Sequence, residues 1–101
     1  MISRKAASML SLAKRAGRLI TGEDTVIMSI KAKGCMLVII AEDASENTKK
    51  KITSRCASGG IPYLIKGERE ELGKAVGMYN RTVFAVTDST FAQKIETELL
   101  L

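Results

Sequence analysis

The run Met36-Leu37-Val38-Ile39-Ile40-Ala41 constrains the fold more than any other part of this chain. Six consecutive residues without a polar side chain do not alternate, so a strand built from them has both faces covered. Helical patterns lie on either side of it. The run is therefore expected at the centre of a sheet held between two helix layers, in the manner of parallel central strands.

Upstream, Ser3 is suited to cap a first helix reaching about Ala16, with Gly17 as its left-handed stop. At 100° per residue, Arg4, Ser8, Ser11, Lys14, Arg15 and Arg18 gather on one side; Ala6, Met9, Leu10, Ala13 and Ala16 gather opposite. A short extended piece from Arg18 to Thr21 leads to Gly22, which opens a second helix through about Lys33, with Gly34 expected to end it. Downstream, Ser45 caps a third helix with the stripe Thr48, Ile52, Cys56, and Gly59-Gly60 stops it. Ile61 to Ile65 reads as a strand that Pro62 keeps out of a central position, unless the proline stands at the strand's beginning. A short fourth helix carries Leu72, Ala75 and Val76 and ends at Gly77. A strand from Thr82 to Thr87 follows, and a last helix from Asp88 or Ser89 is expected to bury Phe91, Ile95 and Leu99. The alternation predicts one domain over residues 1–101, a three-layer α/β/α sandwich with a four-stranded mixed sheet.

Charge is distributed unevenly. Residues 1–34 hold seven bases and two acids, which accounts for the whole net charge of +5, while the remainder is balanced. Concentrated in a third of a domain, that excess is the footprint of a surface for a polyanion. No apolar stretch has the length of a membrane span. Cys35 and Cys56 fall on apolar patterns, as buried thiols of a cytoplasmic protein do.

The chain has no histidine, which removes the commonest general base and the ordinary dyads and triads. With two cysteines and no histidine, no metal site and no cofactor are expected. Gly67 to Gly73-Lys74 approximates a phosphate loop, but it has five intervening residues instead of four. Ala75 stands where Ser or Thr is needed, and Glu68, Glu70 and Glu71 repel phosphate. Glu42-Asp43 is better read as a complement to the next helix's dipole than as a cation site, and Lys49-Lys50-Lys51 with Arg55 as a solvated helix face. Gly73 and Gly77 suit close helix packing and a C-cap. Tyr79 and Arg81 lie in a short turn, where a ring and a guanidinium can reach a base or a backbone.

Together, Gly22-Glu23-Asp24 opening a helix, the strand MLVIIAEDAS, then GIPY and ELGKAVG resemble the kink-turn-binding ribosomal protein family named L-seven-Ae, and within it the bacterial L-seven-Ae-like group. The resemblance implies an α/β/α sandwich that binds sharply bent RNA with the N-terminus of the second helix and the loop before the last strand. It implies non-catalytic recognition of structured RNA, a kink-turn and ribosomal RNA foremost, with association to the ribosome and no small-molecule substrate. Carried over by position, the contact residues are Gly22, Glu23, Asp24, Thr25 and Met28 on the second helix and Met78, Tyr79, Asn80 and Arg81 in the loop, and Lys31, one turn further along the same helix face, is expected to supply the cation that Met28 lacks. Lys14, Arg15 and Arg18 are expected beside them, neutralising phosphates. Asp24 stands where many members have Asn, and Thr25 and Met28 stand where those members have Glu and Lys. The loop, usually small and apolar, carries a ring and a base here. Two rival readings are an interaction module whose basic helix docks an acidic protein partner, and a small doubly wound enzyme.

Overall fold

Ser3 starts the first helix by accepting the Ala6 N–H on its Oγ at 3.0 Å, and α1 runs Arg4–Arg15. In the computed structural model, which describes residues 1–101, the other elements follow in strict alternation. They are β1 Leu19–Thr21, α2 Glu23–Lys31, β2 Leu37–Ile40, α3 Glu46–Gly59, β3 Tyr63–Ile65, α4 Arg69–Val76, β4 Val83–Val86 and α5 Ser89–Leu100. Short polar side chains set the helix starts: Ser45 accepts from the Thr48 N–H at 3.1 Å, and Asp88 accepts from the Phe91 N–H at 2.9 Å. Glycines stop the helices where a left-handed residue is required, at Gly60 after α3 and Gly77 after α4.

The strands order as β1-β4-β2-β3, so β4 and β2 are central. Strand β2 pairs in parallel with β3 and antiparallel with β4, and β1 pairs antiparallel with β4. The expected mixed sheet between helix layers is thus present. The central strand β2 is flanked in parallel on one side only, because β4 returns beside it from the opposite direction. Both central strands are buried along their whole length, and Pro62 leads into the edge strand β3. No helix is long and apolar enough to cross a membrane.

Two cores follow from the two faces. On one, Leu10 and Ala13 of α1, Leu72 of α4 and Ile95 of α5 meet Ile39 and Phe84; on the other, Val26 and Ile30 of α2 and Ile52 and Cys56 of α3 meet Val38 and Val83. Local details depart from the sequence reading. Ala16 is exposed rather than packed, Thr48 and Phe91 are half-buried, and Ala92 takes the buried place beside Ile95. Helix α2 ends at Lys31, and its left-handed stop is Lys33 (φ 57°), not Gly34. Gly34 serves instead where a Cβ would stand 3.1 Å from Ser29 Oγ.

Glu42 and Asp43 also act elsewhere than expected. Glu42 accepts from the Gly67 N–H at 2.8 Å and Asp43 from the Arg69 N–H at 2.8 Å, so the pair fastens the β3–α4 connection instead of serving the start of α3. The Arg69 N–H, with its guanidinium nearby, holds the Asp43 carboxyl below the usual carboxylate value.

Candidate functional site

At the end of the sheet where β1 stops and β4 begins, two segments meet. Gly22 joins β1 to α2 with φ 100° and ψ 143°, a backbone conformation that side chains with a Cβ disfavour. Its N–H donates to the Val83 carbonyl at 2.9 Å, and its carbonyl accepts from Val26 at 3.0 Å, so the turn is fastened to β4 and to its own helix. No side chain caps α2. The N–H groups of Glu23, Asp24 and Thr25 therefore have no helix carbonyl to donate to, and the positive end of the helix dipole is open.

The facing segment is the α4–β4 loop. Gly77 is left-handed, and the Met78 N–H closes back on the Gly73 carbonyl at 3.0 Å. Gly73 makes that closure possible, because a Cβ there would stand 2.7 Å from the Met78 carbonyl oxygen. The close approach expected of Gly73 is thus to its own helix's exit loop, not to another helix. Asn80 holds φ 62°, which asparagine tolerates better than most residues. Arg81 then lies over the turn, its Nη1 3.8 Å from the position a Gly22 Cβ would occupy.

Between them is a cleft of about 470 Å³, formed by Thr21 to Thr25 on one side, Asn80 to Thr82 on the other, and Lys51 reaching in from α3, with no apolar side chain in its lining. Glu23 and Lys51 are paired at 2.6 Å, and Thr48 donates to the other Glu23 oxygen at 3.4 Å. That carboxylate is committed to joining α2 to α3. Asp24, Thr25, Asn80 and Arg81 keep side chains without an intramolecular hydrogen bond or ion pair. The arrangement presents backbone donors, a free carboxylate and a guanidinium within one polar cleft.

The structure therefore gathers Gly22, Glu23, Asp24, Thr25, Asn80 and Arg81, as the sequence reading expected. Met28 and Lys31 continue along the exposed face of α2 beyond the cleft, Tyr79 is exposed in the loop, and Met78 packs partly onto the α1–α4–α5 core. Lys14, Arg15 and Arg18 are not beside the turn: Arg18 precedes Leu19, at the opposite end of β1 from Gly22. Lys51, expected on a solvated helix face, lines the cleft. Its i, i+3 spacing from Thr48 puts both on the flank of the buried Ile52-Cys56 stripe, but only the packing of α3 beside α2 brings that flank to Glu23.

The thiols take no part in this site. Burial, with Cys35 nearby, pushes the Cys56 thiol up to about 11, and burial also raises Cys35, so both are protonated at neutral pH.

A four-stranded α/β/α sandwich with its exposed helix start at one sheet end has a recognised place among known proteins. The model of the Ribosomal protein L7Ae/L30e/S12e/Gadd45 family matches residues 4–96, and the chain belongs to that family. It is 44% identical over 87 residues to "RNA-binding protein YlxQ" of Bacillus subtilis (strain 168), covering 86% of this chain and 87% of the relative. The "Large ribosomal subunit protein eL8" of Thermoplasma volcanium is 30% identical over 88 residues, covering 86% of this chain and 73% of that one. Among solved structures, a protein of unknown function from Bacillus halodurans superposes with a TM-score of 0.93 at 37% identity, covering 98% of this chain and all (100%) of its own. The Giardia lamblia 15.5kD RNA binding protein shares the fold, with a TM-score of 0.77 at 17% identity over 94% of this chain and 82% of that chain.

Proposed function

We propose that this chain is a non-catalytic protein that binds structured RNA, that its target is a kink-turn, and that it works on ribosomal RNA in the cytoplasm. The observation that carries the reading is the convergence, in one wholly polar cleft, of the uncapped start of α2 with the unpaired Asp24 and Arg81. Backbone N–H groups at a helix start suit phosphate oxygens. A carboxylate is repelled by phosphate but accepts from base amino and imino groups, which an irregular loop exposes and a regular duplex does not. Because Glu23 is held by Lys51 and Thr48, base reading falls to Asp24. Tyr79, 68% exposed in the loop and next in the chain to Asn80, offers a stacking face. The names of the relatives, an RNA-binding protein and a ribosomal subunit protein, support the same direction.

The test is direct titration, at one fixed salt concentration, of a kink-turn RNA and a fully paired duplex of equal length. The kink-turn should bind at least tenfold more tightly, and Arg81→Ala should weaken it by about 1 to 3 kcal/mol, the range of one good specific contact. Equal affinity of the unaltered protein for the two RNAs would end the kink-turn reading.

A further inference from the structure

The excess positive charge of residues 1–34 gathers at the end of the sheet away from the cleft. Lys14 and Arg15 form the last turn of α1, and the Arg18 N–H donates to the Ala13 carbonyl at 2.8 Å. The Arg18 carbonyl in turn accepts from the Thr87 N–H at 2.9 Å, just beyond β4. Lys31 ends α2, and Lys33 occupies the left-handed turn leading to Met36, whose N–H donates to the Val86 carbonyl at 2.8 Å. Strand register sets both Leu19 and Leu37 opposite Val86, so the α1–β1 and α2–β2 connections lie together. None of these five cations is in an ion pair; the chain's ion pairs involve the N-terminus, Lys5, Lys49, Lys51 and Arg69. Asp88, the acid following Thr87, is engaged in capping α5.

We infer that this end of the sheet is a second nucleic-acid contact surface, in which Lys14, Arg15, Arg18, Lys31 and Lys33 hold the sugar–phosphate backbone of a double-stranded segment without reading its bases. The inference rests on the reading that the chain binds RNA, and adds a surface distinct from the cleft. Helix α2 separates the two, nine residues long, which is about 13 Å at 1.5 Å per residue. Neither connection contains an aromatic side chain, so there is no ring on which unpaired bases could stack, and Met36 is the one large apolar side chain exposed in them. An anionic membrane is disfavoured because the apolar side of α1, Ala6, Leu10 and Ala13, is already spent in the core and cannot insert. What remains is charge for phosphates: the kink-turn's bend meets the cleft, and a paired stem meets the basic end.

The experiment measures binding of a fully paired RNA duplex across a salt series. Three proteins are compared with the unaltered chain: a Lys14→Ala/Arg15→Ala/Arg18→Ala variant, a Lys31→Ala/Lys33→Gly variant, and a control, Lys50→Ala/Lys74→Ala/Lys94→Ala, that loses as many charges as the triple variant and one more than the double. Glycine at 33 keeps the positive φ, so that variant guards against misfolding of the triple. Both basic-end variants should lose at least tenfold in duplex affinity, with the slope of log affinity against log salt falling by roughly 0.7 to 0.9 per phosphate contact removed. The control should keep most of both. Unchanged slopes in the basic-end variants, or an equal loss in the control, overturn the inference. So does binding to phosphatidylserine-containing vesicles that the duplex fails to displace. Kink-turn preference of the unaltered chain is read separately, so loss of that preference tells against the cleft and not against the basic end.

Discussion

Replacing Gly73 with alanine is expected to lower the unfolding free energy by about 1 to 3 kcal/mol, the usual cost of forcing an atom into a filled site, and to weaken kink-turn binding at the same time. Two effects oppose each other. Alanine is the better helix former by roughly 1 kcal/mol, and Gly73 lies inside α4. Against that, the new Cβ would stand 2.7 Å from the Met78 carbonyl oxygen, a backbone atom of a residue whose own N–H is tied to the Gly73 carbonyl, so that no flexible side-chain end can move aside. Steric overlap at that distance wins. Relief comes from swinging the loop, which carries Asn80 and Arg81 away from Gly22, so the loss of binding should exceed what reduced stability alone explains at a temperature where the variant is fully folded. Urea unfolding and RNA titration check both halves. A neutral or stabilised Gly73→Ala protein would mean that the loop yields freely, and that Gly73 does not position the site.

Ile52→Ala is expected to cost about 2 to 4 kcal/mol, the range for emptying a fully buried aliphatic site. Ile52 is completely buried in the core shared by α2, α3 and the central strands, among Val26, Ile30, Val38 and Ile40. It is also the neighbour of Lys51, whose ion pair with Glu23 joins α3 to the start of α2. The urea midpoint should fall without a change in slope, since the folded surface is retained. An unchanged midpoint would place the buried face of α3 elsewhere.

How far the sequence foretold these features depends on whether their cause is local. The burial of β2 is written in its unbroken aliphatic run, and the helix starts at Ser3 and Ser45 are written in hydroxyls three residues ahead of the N–H they accept. The turn at Gly22 is legible for the same reason: only glycine readily takes its φ. The resemblance, more than periodicity, paired that turn with the Met78–Arg81 loop, because they are far apart in the chain and meet only when β4 lies beside β1. Local rules misled at Lys33, where a left-handed lysine does what Gly34 was expected to do. Tertiary placement misled twice more. Linear proximity to Gly22 concealed that β1 carries Lys14, Arg15 and Arg18 to the other sheet end. The role of Lys51 depends on α2 and α3 packing side by side, which no spacing within α3 reveals.

Whether the Gly22–Thr25 turn reads exposed bases is tested by Asp24→Ala, for which two physical effects predict opposite signs. Removing a carboxylate raises the net charge, so simple electrostatics makes every RNA bind more tightly. Removing a base acceptor weakens only an RNA whose bases reach the cleft. The measurement is the affinity of the unaltered chain and Asp24→Ala for a kink-turn and for a fully paired duplex of equal length, at one salt concentration. Base reading by Asp24 predicts a loss of roughly 1 to 3 kcal/mol on the kink-turn, the worth of one good base contact, with duplex affinity unchanged or improved. Equal strengthening on both RNAs would contradict it.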